Sequence, residues 1–321
     1  MDISYAVVFF LSGLTARAWP EGFSRKFFKS LKSLAVPYFF FSVVSIFLWQ
    51  MVNGNLLSVA SWGNLAGQMA YGVAGLEQKM SYDAPLWFFT CLFSVRLLFG
   101  SITAFSNGPT MTMVASCLIA LFAHVIVFTH FRSMLWNFDV ALVSLLFYCA
   151  GFVISRTYLS MSPSSPLSKG PASVLWLLLS VALVLAAALI NGRVDMNGRA
   201  FGNAWVFYAG AFAGIYAAIA LSATLSKFSW TAALGQASIA IFPLHTLWPL
   251  LPYRIMPTIK WYGFRLTHSD LGGALLVALV EILLCLPFYF ALKRWAPQLI
   301  GMTHLKPTAS VHQYTNPAVS H

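Results

Sequence analysis

The feature that most constrains the fold is a series of nine apolar segments, each roughly 20 residues long, that fill most of the chain. A helix needs about 20 predominantly apolar residues to cross the hydrocarbon core of a bilayer. The sequence therefore predicts an all-α, polytopic transmembrane helical bundle. The predicted spans cover residues 3–19, 34–52, 85–106, 110–129, 134–155, 171–191, 204–225, 234–252 and 271–292.

Composition agrees with a membrane protein and argues against a nucleic-acid-binding one. Only 8% of the residues are charged and 59% are hydrophobic, whereas soluble domains carry about 25% charged residues. The formal net charge is +11, but the 19 Lys and Arg residues are spread between apolar segments and form no continuous basic domain. The four cysteines, Cys91, Cys117, Cys149 and Cys285, lie in apolar segments without paired spacing, so we expect small core residues rather than disulfides or a metal site.

The distribution of basic residues predicts an orientation in the membrane. Cytoplasmic loops carry the excess of Lys and Arg. Placing the loop from Arg17 to Lys32 inside puts eleven basic residues on that side and seven on the other. We therefore expect an inner-membrane protein whose C-terminus is cytoplasmic. Residues 1–300 are predicted to form one membrane-embedded domain, and residues 301–321 a disordered cytoplasmic tail.

Four ionisable residues, Arg96, Asp139, His245 and Glu281, lie within or at the edge of apolar segments. A charge at mid-bilayer costs roughly 2.5 to 3.5 kcal/mol on insertion scales, so each is a candidate functional residue. The structural alternative for Arg96 and Glu281 is an ion pair between helices. For Asp139 it is exposure at the membrane interface. His245, in a lone position, is either a hydrogen-bonded core group or a general base.

Six stretches of this chain resemble, in order and spacing, the acyltransferase 3 family of multi-pass membrane acyltransferases, and in particular its fucose 4-O-acetylase-like branch. They are VVFFLSGL (7–14), LKSLAVPYFFFSVVS (31–45), APLWFFTCLFSVRLLF (84–99), NFDVALVSLLFYCAGFVI (137–154), VDMNGRAFGNAWVFYAGAFAGI (194–215) and LGQASIAIFPLHTLW (234–248). The resemblance implies transfer of an acetyl or other acyl group from acetyl-CoA, without a metal, to a hydroxyl of a sugar or cell-surface glycan.

Family members typically have ten spans, and the first carries a histidine regarded as the catalytic base. That span has no counterpart here; where the family often has a histidine and a proline before its second span, this chain has Ser4 and Ala6. We therefore expect the start to be assigned too late and a first span to be missing. A degenerate, catalytically silent homologue is the alternative. Among the residues present, His245 and Asp139 are the catalytic candidates.

The segment before the second predicted span, RKFFKSLKSLAVPYFFFSVV (25–44), gathers an unusual number of charges. Arg25, Lys29 and Lys32 follow one another at spacings of four and three, which puts them on one face of a helix. One interpretation is an anchor to anionic headgroups. The other, which the resemblance favours, is a cluster that binds the phosphates of coenzyme A.

Polar residues near the predicted outer face are candidates for binding the acceptor. The resemblance implies that Asp195, Asn197 and Asn203 hydrogen-bond sugar hydroxyls; turn formation is the alternative. Trp87 would form either a wall of this site or an interface anchor, and Glu281 is a further candidate. Residues 53–84 would form a partial lid.

A transporter or flippase of a lipid-linked sugar, with Glu281, Arg96 and Asp139 along a polar pathway, is the competing function. The oligomeric state is not predicted.

Overall fold

The computed structural model describes residues 3–19, 23–72, 80, 82–128, 133–157, 171–225, 229–245 and 270–302. Within these ranges the chain is helical and has no β-strand, which confirms the predicted all-α bundle. The α-helices are α1 (Ile3–Leu14), α2 (Phe23–Ser30), α3 (Val36–Val52), α4 (Val59–Tyr71), α5 (Trp87–Phe105), α6 (Pro109–Phe122), α7 (Phe138–Thr157), α8 (Pro171–Asn191), α9 (Ala204–Leu225), α10 (Ser229–Leu244) and α11 (Asp270–Trp295). Short turns adjoin several of them: π-helical Leu31–Ala35 and Ala123–Val127, and 3₁₀-helical Ala84–Leu86, Leu135–Asn137 and Pro297–Ile300.

Nine apolar helices of the described chain correspond to the nine predicted spans. Six are long and apolar enough to cross a membrane by length and composition: Ser24–Val52, Ala84–Phe105, Leu135–Thr157, Val174–Asn191, Ala204–Ser222 and Gly272–Trp295. The other three are shorter, Ser4–Leu14, Pro109–Val125 and Ala233–Leu244. The multi-pass character expected from hydropathy is thus confirmed.

Helix α7 forms the centre of the bundle. It packs against α1, α5 and α6, and 78% of its span is buried, against 11% for the spans in α8 and α11. Because a helix that is apolar on all sides must face either other helices or lipid, α8 and α11 are the lipid-facing elements. Cys91, Cys149 and Cys285 are buried as expected, but Cys117 is exposed on α6, so that prediction was wrong for one cysteine.

The basic segment, which was counted as part of a loop for the orientation but whose spacing predicted a helical face, is a helix. Helix α2 continues through the π-helical turn Leu31–Ala35 directly into α3, so the second span begins at Phe23 rather than near residue 34. Pro37, which has no amide hydrogen to donate, follows this π-helical turn within the continuous helix. Phe27 packs against Phe93 while Arg25 and Lys29 are exposed. The helix therefore extends past the apolar segment as an amphipathic element.

Helix α4 lies in the segment that was expected to form a lid, and it packs against α3. Its last carbonyls accept hydrogen bonds from two aromatic neighbours: Tyr38 Oη donates to the Met69 oxygen at 2.5 Å, and Trp136 Nε1 to the Ala70 oxygen at 3.0 Å. Tyr71 Oη in turn donates to the Ser133 oxygen at 3.1 Å. The C-terminal end of α4 is thus fixed to the bundle, while residues 73–79 and 81 lie outside the described residues.

Candidate functional site

A buried ion pair joins the start of α7 to the loop that precedes α9. Arg199 Nε donates to Asp139 Oδ2 at 2.8 Å and Arg199 Nη2 to Asp139 Oδ1 at 3.3 Å. The side chains are 6% and 1% exposed. The interfacial exposure considered for Asp139 was therefore wrong. Asp139 also lies in the first turn of α7, where the helix dipole favours a carboxylate.

Asn137 extends this ion pair to two further segments. Its Oδ1 accepts from Arg199 Nη2 at 2.9 Å, and its Nδ2 donates to the Gly72 oxygen at 2.7 Å and to Thr90 Oγ1 at 2.9 Å. Asn137 and Arg199 both have a positive φ, 54° and 59°, a strained conformation for residues other than glycine. We call Asn137, Asp139 and Arg199 the polar clamp.

The loop before α9 folds so that Arg199 points inward. Asp195 Oδ1 accepts from the Gly198 amide at 2.8 Å, and Asp195 forms a backbone bridge with Ala200. Asn203 Oδ1 accepts from the first amides of α9 and caps that helix. Asp195 and Asn203 thus have the turn-forming roles that were the alternative to sugar binding. Asn197 differs, because its buried Oδ1 has no hydrogen-bond partner among the described residues.

Trp87 is 1% exposed, so the interface-anchor interpretation was wrong. Its ring packs edge-on against Tyr5 with the centroids 4.9 Å apart. Its carbonyl accepts a hydrogen bond from Thr90 Oγ1 at 2.8 Å and a longer one from Asn137 Nδ2 at 3.3 Å. Trp87 is therefore a packing residue that connects the polar clamp to α1.

A cavity of about 300 Å³ lies between α1, α5, α10 and the π-helical turn after α2. Its wall is mostly apolar and aromatic, including Tyr5, Phe88 and Phe242, and its polar side chains are Ser33, Arg96 and Ser238. We name it the donor cavity, for the acyl-donor role that we propose for it. Helix α5 separates the donor cavity from the polar clamp. Phe88 and Arg96 face the cavity, whereas Trp87 and Thr90 face Asn137.

Arg96 was expected either to pair with Glu281 or to act in function. Its Nη1 donates to Ser33 Oγ at 3.0 Å, and Tyr148 lies beside it. Among the described residues no ion pair joins Arg96 to Glu281, so that structural alternative was wrong. Glu281 lies half-buried on α11, away from the residues that line the donor cavity. Arg96 is thus held within a mostly apolar wall by neutral hydroxyl groups.

The exposed basic residues are close in sequence to the wall of the donor cavity. Arg25, Lys29 and Lys32 are all exposed, and Ser33, the residue after Lys32, lines the cavity. Lys26 points elsewhere and donates to the Ala18 oxygen. The three residues that were predicted to form a basic face are thus exposed, and the last of them directly precedes a residue of the cavity wall.

His245 follows the end of α10, three residues after Phe242 in the cavity wall. Its Nδ1 lies 2.6 Å from the Phe242 oxygen, a contact that requires the proton on Nδ1 because a carbonyl only accepts. In that tautomer Nε2 is the nitrogen that can accept a proton. The position suits both interpretations of His245, and residues 246–269 that follow it lie outside the described residues.

Sequence reasoning missed two buried polar groups. Arg199 was not among the candidate residues, although its charge is the complement of that of Asp139. Asp83, directly before the 3₁₀ turn into α5, is 2% exposed and accepts from Ser45 Oγ at 2.9 Å. Burial raises the pKa of the neighbouring Tyr82 to about 12, so its hydroxyl remains a hydrogen-bond donor at neutral pH. An acidic residue immediately before APLWFF (84–89) was the available signal for Asp83.

Comparison with known proteins identifies the family. A family model for an acyltransferase domain, that of acyltransferase 3, matches residues 5–294. The chain belongs to the acyltransferase 3 family. No curated protein and no solved structure matches it. Its membership makes the chain a multi-pass membrane protein of an acyltransferase family, and the bundle of apolar helices agrees with this.

Proposed function

We propose that this protein transfers an acetyl group from acetyl-CoA to a hydroxyl of a sugar or cell-surface glycan at the inner membrane. The observation that carries the proposal is the donor cavity, whose wall begins at the residue following the exposed basic face. A phosphorylated donor with a long, weakly polar arm needs this combination of cations outside and apolar walls inside. The fucose 4-O-acetylase-like specificity and the cytoplasmic C-terminus belong to the same proposal.

The basic face would hold the phosphates of the donor. Arg25 offers planar, bidentate hydrogen bonds, and Lys29 and Lys32 act as point charges. Ser33 and Arg96, hydrogen-bonded at 3.0 Å, lie where the arm would enter the cavity. The Arg96 guanidinium retains further donors after this bond, and these would orient the amide and thioester oxygens of the arm.

The reaction needs one proton acceptor. The acceptor hydroxyl oxygen attacks the thioester carbonyl carbon, its proton passes to a base, the C–S bond breaks and the departing thiolate takes up a proton. His245 Nε2 is the base we propose among the described residues, since the Phe242 carbonyl holds the required tautomer. Asp139 would act as a positioning residue, because both its oxygens accept from Arg199.

Binding of the acceptor is the least constrained part of the proposal. Asp195, Asn197, Asn203 and Glu281 are the proposed contacts, and Trp87, which is buried, would support the wall of the site by packing. Asn197 has the strongest support, since its Oδ1 has an unused acceptor site beside the polar clamp. Asp195 and Asn203 would contribute mainly by shaping the loop.

Replacing Arg25, Lys29 and Lys32 together by Gln should weaken acetyl-CoA binding at least tenfold, because each charged hydrogen bond to phosphate contributes roughly 1.5 to 3 kcal/mol. The measurement is acetyl-CoA titration of the purified full chain, with membrane insertion checked by fractionation. Arg193→Gln, an exposed basic residue in the loop before α9, is the matched control. Unchanged binding in the triple variant would remove the phosphate-binding role.

His245→Gln should lower acetyl transfer by about 10² or more, the range of general-base contributions, while acetyl-CoA binding persists. His124→Gln is the control, because His124 also lies in an apolar helix but contacts Phe201 and Tyr208, away from the donor cavity. Equal turnover in the two variants would contradict the role of His245. The competing function, transport of a lipid-linked sugar, would instead show sugar movement that does not require acetyl-CoA.

A further inference from the structure

A second cavity, of about 200 Å³, lies between α10 and α11, outside the donor cavity. Leu286 and Phe290 form part of its apolar wall, and Tyr289 and Lys293 line it from the last turns of α11. Since only 11% of the α11 span is buried and Phe290 is 58% exposed, the groove opens to the outside of the bundle, where an apolar membrane helix faces lipid. We call it the α10–α11 groove.

Two polar groups in the groove lack an anionic partner within the part of the chain that the structure describes. Tyr289 is 2% exposed, and its buried hydroxyl has no hydrogen-bond partner among the described residues. A buried hydroxyl without a partner is unfavourable because it has lost its hydrogen bonds to water, so such a group indicates a missing acceptor. Lys293 Nζ lies 5.5 Å from the centroid of the Tyr289 ring. A donor and a cation thus adjoin the same small space.

The groove opens at the level of the membrane surface that carries the basic face. Helix α11 ends at Trp295, and the following turn Pro297–Ile300 packs against the π-helical turn Leu31–Ala35, which contains Lys32. Trp230, on the opposite wall of the groove, is 54% exposed. Tryptophan is enriched where the apolar core meets the headgroups, which fits the same depth.

We propose that the α10–α11 groove binds one anionic phospholipid. Its phosphate would pair with Lys293 and accept the Tyr289 hydroxyl hydrogen bond, and an acyl chain would follow Leu286 and Phe290. A cationic pocket between helices at the membrane surface is a typical site for anionic headgroups. The apolar wall and the exposure to lipid favour a phospholipid over a free phosphate ion, which gains nothing from either.

The test uses the full chain in neutral detergent, with phosphatidylglycerol as the probe and native mass spectrometry to count retained lipids. We expect phosphatidylglycerol to be retained at least fivefold better than phosphatidylcholine. Lys293→Gln should abolish this preference, and Tyr289→Phe, which removes only the hydroxyl, should reduce it. Arg294→Gln is the matched control, since it removes a neighbouring charge that does not line the groove.

Three results would overturn the proposal. Equal loss in Lys293→Gln and Arg294→Gln would mean attraction to surface charge without a site. Equal retention of both lipids would exclude headgroup recognition. Competition by millimolar inorganic phosphate as effective as that by phosphatidylglycerol would mean that the groove is a phosphate site and not a lipid site.

Discussion

Arg199→Met should lower the free energy of unfolding by about 3 to 5 kcal/mol, one of the two largest effects we expect in this protein. The substitution leaves Asp139 as a buried carboxylate without its cation, and removing one partner of a buried pair carries a penalty of this size. It also removes the donor to Asn137 Oδ1. Thermal unfolding of the purified chain in detergent measures the loss.

The control is Arg193→Met, six positions earlier in the same loop, where the side chain is exposed. Surface substitutions of this kind usually change stability by less than about 0.5 kcal/mol. A similar melting temperature for the two variants would show that the ion pair contributes nothing to the fold. Such a result would also remove the positioning role proposed for Asp139.

A double variant distinguishes the contribution of the ion pair from the cost of leaving one buried charge unpaired. Asp139→Leu combined with Arg199→Met replaces both charges by apolar groups, and buried pairs replaced in this way are often close to neutral in stability. We therefore expect the double variant to be more stable than either single variant. Acetyl transfer should remain low in it, because the clamp also orders Asn137 against the first turns of α5.

Hydropathy predicted the bundle well because few backbone conformations are possible for a segment that spans a bilayer. Backbone groups in lipid must be hydrogen-bonded within the segment, so a long apolar run becomes a helix. The boundaries were less well predicted where the helix leaves the apolar core. The helix before α3 begins at Phe23, since its basic residues take one face and Phe27 packs on the other. Charge alone indicated a loop there.

The candidate site was predictable only where its residues are neighbours in sequence. The spacing of Arg25, Lys29 and Lys32 was enough to predict a basic face, and all three residues are exposed in the structure. The Asp139–Arg199 pair joins residues 60 positions apart, and neither position indicates its partner, since Asp139 lies near the end of an apolar segment and Arg199 in the loop before α9. The donor cavity depends on how α1, α5 and α10 pack together, which no local pattern reports.

Gly13→Ala and Gly151→Ala should each destabilise the protein by about 3 kcal/mol, the upper end of overpacking effects. A Cβ on Gly13 would lie 2.0 Å from the Tyr148 oxygen, and one on Gly151 would lie 2.1 Å from the Phe10 oxygen. Both obstacles are backbone atoms, so no rotamer change relieves them. Small residues that let two helices approach closely are a common basis of packing in membranes.

Gly67→Ala is the matched control for these variants, because Gly67 is also helical but has nothing within 4 Å of the added carbon. In α4 the same methyl group should stabilise by roughly 0.5 to 1 kcal/mol through helix propensity. Thermal unfolding in detergent compares the three variants directly. If Gly13→Ala proved as stable as Gly67→Ala, close contact between α1 and α7 would not be a determinant of the fold.

The effects of Gly13→Ala and Gly151→Ala on stability should also be coupled, because both glycines lie where α1 contacts α7. Once α1 has moved away from α7 to admit one methyl group, the second meets less resistance, so the double variant should lose less stability than the sum of the single losses. The same displacement moves Tyr5 and Val8, which line the donor cavity, relative to α7, which carries Asp139. Acetyl-CoA binding should therefore weaken already in the single variants, at temperatures where they remain folded.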